Sequence, residues 1–133
     1  MIDALGVTDP GPVRKINEDC VFCDPKLGLL IVADGLGGHA AGEVASSLAV
    51  ETISGFIRRT EDDGEFSWPY GLDSALSFAG NLLRTAVHLA NRRVFRAAER
   101  NDEYTGMGTT VVAALVSGAR LAVANAGDSR LYI

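Results

Sequence analysis

Apolar positions along this chain fall into two periods, and the places where the period changes mark out the elements. Residues 2–8 and 20–24 read as short strands around a loop over 14–19. Leu29, Leu30, Ile31, Val32 and Ala33 form an unbroken apolar run ending in Asp34, which predicts a central strand over 28–34 covered on both faces. From about Ala41 to Arg59 the period becomes helical, with Ala45, Leu48, Ala49, Ile53, Phe56 and Ile57 on one stripe. A second helical stretch, from about Leu72 to Arg100, places Leu76, Ala79, Leu83, Ala86, Val87, Ala90, Val94 and Ala97 on its buried side. Residues 109–116 and 121–126 return to strand character around a turn at Ser117-Gly118. Between the helices, the loop Thr60–Gly71 carries Phe66, Trp68, Pro69 and Tyr70, aromatics expected to pin it to the core. The whole reads as one domain over 1–133, without repeats or low-complexity tracts.

Composition narrows the partners. The chain has 133 residues, enough for one domain with a real core, and a net charge of −5. An acidic chain with no basic block is a poor nucleic-acid binder. No N-terminal apolar stretch suggests secretion and no apolar run is long enough to span a membrane, so a cytoplasmic location is the expectation.

The most informative stretch is Asp34-Gly35-Leu36-Gly37-Gly38-His39 at the end of the central strand. A carboxylate on a rigid strand end is held at the core's edge, and the glycines that follow let backbone carbonyls approach the same point. Oxygen donors so placed suit a hard divalent cation, magnesium or manganese. Gly35-Leu-Gly37-Gly-His-Ala40 also fits the G-x-G-x-x-G/A dinucleotide fingerprint. That rival is weaker, because Asp34 would repel a pyrophosphate and residues 41–59 continue as helix where a second strand is needed.

Three further blocks accompany this turn: Val13-Arg14-Lys15-Ile16-Asn17-Glu18-Asp19, Gly106-Met-Gly-Thr-Thr110, and Asn125-Ala-Gly-Asp128-Ser-Arg130. In this order the four blocks resemble the metal-dependent protein phosphatase family, type 2C, in its compact bacterial form. The resemblance runs from about Gly6 to the last residue. It implies an α/β fold of the α+β kind, an antiparallel β-sandwich flanked by helices. It also implies hydrolysis of phosphoserine and phosphothreonine by a metal-bridged hydroxide, without a covalent intermediate. A family domain is roughly twice this length, so the chain reads as its N-terminal half. An alternative follows from that length: a catalytically incomplete half-domain acting as a non-catalytic or self-associating unit. Leu131, Tyr132 and Ile133 read as a strand continuing past the last residue, so open strand edges are expected to favour self-association.

The resemblance also distributes roles. Asp34 would bridge two Mn2+ or Mg2+ ions and the Gly35 carbonyl would complete one shell, while Glu18 and Asp19 act through water. Asp128 corresponds to a position contributing to a loosely held third ion, or else is a turn residue bonded to backbone or to Arg130. Arg14 would grip two phosphate oxygens through its fork. His39 is a substrate contact at the rim or a helix cap, since Leu36-Gly37-Gly38 separate it from the Asp-Gly pair that a family histidine usually follows. Thr109 and Thr110 read as strand residues near the site, not ligands. Partners implied are phosphorylated proteins and a cognate serine/threonine kinase.

Cys20 and Cys23 form a C-x-x-C, but three residues apart on a strand they face opposite ways and should stay free thiols. Arg92, Arg93, Arg96 and Arg100 give the second helix a basic face, expected to be solvated rather than an anion site. His88, mid-helix among apolar residues, is expected to be structural.

Overall fold

The computed structural model describes residues 2–13, 16–38, 40–64 and 66–132. In these residues the elements are β1 (Asp19–Asp24), β2 (Leu29–Leu36), α1 (Ala41–Asp62), α2 (Phe78–Arg100), a 3-10 turn at Asp102–Tyr104, β3 (Gly108–Ser117) and β4 (Arg120–Ala126). The strands form one antiparallel sheet in the order β1-β2-β3-β4, and both helices pack on the same face of it. This is an α+β fold. Among the described residues it contains one sheet with its helical layer, half of a sandwich.

Register explains the layering. Across β1–β2 the pairs include Cys20 with Ala33 and Phe22 with Ile31; across β2–β3, Ile31 pairs with Ala113 and Leu29 with Leu115. All of these turn toward the helices, because alternate side chains share a face. They meet Ala45, Ala49, Ile53, Leu83, Ala86 and Ala90 in one core. Fully burying side chains such as Leu29, Ile31, Ile53 and Leu83 contributes roughly 1.5–3 kcal/mol each.

The opposite face corrects the expectation that residues 29–33 are covered on both sides. On that face Val32 is 44% exposed and Leu30 half-buried, with Leu121 and Val123 of β4 exposed but Val112 and Ala114 of β3 buried, so β2 alternates between a buried face and one that is only partly covered. Apolar residues on the open face made the run look continuous. Residues 2–8 are not a strand: they pair with neither edge, and residues 3–7 lie over the open face beside Val21, Cys23 and Val32. Leu131 and Tyr132 are not strand either, and Ile133 falls outside the described residues.

The second helix starts later than its apolar period suggests. Ser77 caps it, its hydroxyl accepting the Gly80 N–H at 3.0 Å. The Asn81 amide then fastens the preceding turn, accepting from the Asp73 N–H at 2.8 Å and donating to the Asp73 carbonyl at 3.0 Å. Leu76 thus sits in the turn, exposed. His88 is exposed with its ring tilted against Tyr70, centroids 5.0 Å apart, while Phe66 and Trp68 pack edge-on against each other and hold the loop as expected. No described helix is long and apolar enough to cross a membrane.

Candidate metal and phosphate site

At the end of β2 the helical layer comes as close to the sheet as backbone permits. A Cβ on Gly35 would overlap the Gly42 carbonyl, so the first turn of α1 seats directly on the strand. The Gly35 N–H donates to the Glu18 carbonyl at 3.1 Å, and the Ser46 hydroxyl donates to the same carbonyl at 2.7 Å. The segment before β1 is thereby tied to both β2 and α1. Glu18 is half-buried, with its carboxylate beside Gly42 at the helix N-terminus, where the backbone dipole favours negative charge.

Asp34 points the other way. As the residue before Gly35 it projects from the open face, exposed, directly opposite Asp19 in the β1–β2 register. Thr110, its partner on β3, holds its backbone: the Asp34 N–H donates to the Thr110 hydroxyl at 3.3 Å. The Thr110 hydroxyl also bonds the Ser129 hydroxyl. Gly127, at φ 102°, packs so tightly on Thr110 that a Cβ there would lie 2.6 Å from its methyl. The Asn125 amide closes the turn by donating to the Ser129 carbonyl at 3.0 Å. Thr110 therefore joins the Asp34 strand end to the turn that carries Asp128.

The result is an open cavity of about 590 Å³ lined by Glu18, Asp34, Gly35, Leu36, Thr110, Gly127 and Asp128. Four of the expected site residues, Glu18, Asp34, Gly35 and Asp128, share it. Asp19 lies across the strand pair from Asp34, outside this lining. Arg14 and His39 fall outside the described residues. Two contributors, Ser46 and Gly42, are not marked by the sequence motifs. Thr110 is the strand residue near the site that the sequence suggests, and it acts as a tie and not as a ligand; for Ser46 and Gly42 the one faint signal is a glycine in the first turn of a helix where alanine would be the better helix former.

Chemically the lining offers carboxylates and a backbone carbonyl, hard oxygen donors suited to magnesium or manganese. No three Asp, Glu, His or Cys side chains among the described residues converge tightly enough to form a complete ligand cluster. The donor set fits an ion held by one or two carboxylates with water in its remaining positions, an arrangement magnesium commonly adopts.

The family model for protein phosphatase 2C matches residues 15–133. The chain belongs to the protein phosphatase 2C family. It is 37% identical over 132 residues to the serine/threonine phosphatase stp of Listeria innocua, covering 95% of this chain and 47% of that protein. A crystal structure of the Mycobacterium tuberculosis serine/threonine phosphatase PstP/Ppp superposes with a TM-score of 0.72 at 38% identity, covering 92% of this chain and 45% of the other. The PstP catalytic domain in complex with two manganese ions gives a TM-score of 0.72 at 36% identity, covering 92% and 46%. The chain thus spans about half the length of these phosphatase 2C relatives.

Proposed function

We propose that this protein takes part in the metal-dependent hydrolysis of phosphoserine and phosphothreonine in proteins. The observation that carries the reading is the meeting of Glu18, Asp34, Gly35 and Asp128 around one cavity at the rim of the sheet. Its family membership supports it. Asp34 and the Gly35 carbonyl would hold a divalent ion directly, Glu18 and Asp19 would orient water, and Asp128 would reach a more loosely held ion. When bound, such ions supply an activated water at neutral pH and offset the repulsion between the clustered carboxylates.

The protein's own share is positional. Thr110 and the Ser46–Glu18–Gly35 hydrogen bonds hold the donors on fixed backbone, so little reorganisation is needed when phosphate arrives. Arg14 would take two phosphate oxygens through its guanidinium fork, and His39 would meet substrate at the rim. The expected partners are phosphoproteins and the kinase that modifies them. The partly exposed apolar sheet face, with β1 and β4 as the edge strands among the described residues, would favour self-association, read by sedimentation as a mass that rises with protein concentration.

The test is hydrolysis of a phosphothreonine peptide with and without manganese, in the wild type and in Arg14→Ala. Charge-assisted hydrogen bonds contribute roughly 1.5–3 kcal/mol, so Arg14→Ala should lower kcat/KM about ten- to a hundred-fold while manganese affinity is kept. Turnover that ignores manganese would sink the reading.

A further inference from the structure

The outer surface of the helical layer carries a second feature, separate from the sheet rim. Helices α1 and α2 run antiparallel, with Phe66 bridging Phe56 on α1 to Phe78 on α2 at one end and Arg93 meeting Glu51 further along. Between them lies an open groove of about 710 Å³ into which Arg59, Arg92, Arg93, Arg96 and Arg100 project. These are five of the twelve Lys and Arg residues in a chain of net charge −5. Glu51 is the one acidic residue in the lining; it pairs with Arg93 at 3.2 Å, and the Thr52 hydroxyl accepts from the same guanidinium at 3.2 Å.

The groove has a shape as well as a charge. Gly55 lowers one wall, and a Cβ there would lie 3.4 Å from Arg59 Nη1, so the Arg59 guanidinium folds back across the glycine. Arg92, Arg96 and Arg100 recur every fourth residue and therefore line one edge of the groove, one above the next. Four positive charges remain after the Glu51 pair, against a floor that includes Leu48, Leu89 and Ala97. A solvated basic face would spread its charges over a convex surface; here they converge on a channel.

We propose that this groove docks an extended acidic segment of a partner protein, with carboxylates aligned along the Arg92–Arg96–Arg100 edge. Guanidinium forks bind carboxylates in pairs of parallel hydrogen bonds, and an extended peptide matches a channel between two helices. Nucleic acid fits less well, since the lining has no aromatic on which a base could stack. An anionic bilayer would meet recessed charges and the net negative charge of the rest of the chain.

A fluorescein-labelled oligoglutamate peptide, followed by anisotropy at low and moderate salt, tests this on the full chain. Binding requires neither metal nor turnover, so the outcome is independent of the phosphatase reading. The wild type should bind, more weakly as salt rises. The Arg92→Glu/Arg96→Glu protein should lose about ten-fold or more, Arg92→Gln/Arg96→Gln should lose less, and Arg120→Glu, outside the groove, should bind as wild type. Circular dichroism checks that each variant is folded. Equal binding by the reversed and wild-type proteins would overturn the proposal. So would tighter association with oligouridylate or phosphatidylserine vesicles than with the peptide.

Discussion

Gly35 and Gly42 meet backbone to backbone: a Cβ on Gly42 would lie 2.9 Å from the Gly35 carbonyl carbon and 2.8 Å from the Glu18 carboxylate. This contact sets how deeply α1 seats on β2, and with it where Glu18 and Asp34 stand. Gly35→Ala must push helix and strand apart, and overpacking of this kind costs about 1–3 kcal/mol. Gly38→Ala, three residues on with open space around it, should be close to neutral. Denaturant melts of the two variants check the contrast; equal stability would mean that the two elements are not locked together here.

Asp34 is the residue most exposed to test at the site. Its side chain is solvent-facing and makes no part of the core, so Asp34→Ala should leave the melting transition nearly unchanged. On the proposed role it should abolish manganese-dependent hydrolysis and weaken manganese binding measured by calorimetry. A folded Asp34→Ala protein with substantial activity at saturating manganese would remove Asp34 from the site.

Much of this arrangement is legible in the sequence, and the exceptions share a cause. Periodicity located β1 to β4 and both helices because each buries one face on a common core. Residues 2–8 have the same alternation but lie over the sheet face without joining either edge strand, a distinction that the pattern does not carry. Leu30 and Val32 are apolar on a face that is only partly covered, which periodicity cannot distinguish from a fully covered one. The apolar count runs on through Leu72 and Leu76 ahead of the true start of α2, which Ser77 before Phe78 signals as a cap. At the site, Asp34, Gly35, Glu18 and Asp128 could be picked out from local motifs. Thr110 reads from its motif only as a strand residue near the site; its part as a tie rests on lying opposite Asp34 and under Gly127, relations that only the register creates.

The two cysteines give a prediction from strand geometry. Cys20 packs against the helical layer near Ser47, whereas Cys23 lies on the open face, so mild oxidation should produce no bridge between them. Burial pushes the Cys20 thiol above its ordinary value, with the Ser47 hydrogen bond acting in the opposite direction. Folding therefore favours the protonated thiol, a contribution present at neutral pH and lost as pH rises through the folded-state value. In a Cys23→Ser background, the pH–rate profile for iodoacetamide labelling of Cys20 should have its midpoint above that of the unfolded chain. A midpoint at or below the unfolded value would show that Cys20 is not in the buried setting described.

Thr85 offers a test of the core that owes nothing to function. It is fully buried on α2, and its hydroxyl has no hydrogen-bond partner, the sole such side-chain atom among the described residues. A buried hydroxyl left unsatisfied costs about 1–3 kcal/mol, and valine replaces it with a methyl group of nearly the same shape. Valine is itself no better a helix former than threonine, so any gain must come from removing the buried polar atom. Thr85→Val is expected to raise unfolding free energy by about 1 kcal/mol, with no change in the denaturant slope. Thr85→Ala separates this from packing: it removes the hydroxyl but also the methyl, leaving a cavity, and should gain less than valine or lose stability. A destabilised Thr85→Val protein would mean that the hydroxyl is satisfied, by water or by a shifted neighbour, and that this part of the core is wetter than its burial indicates.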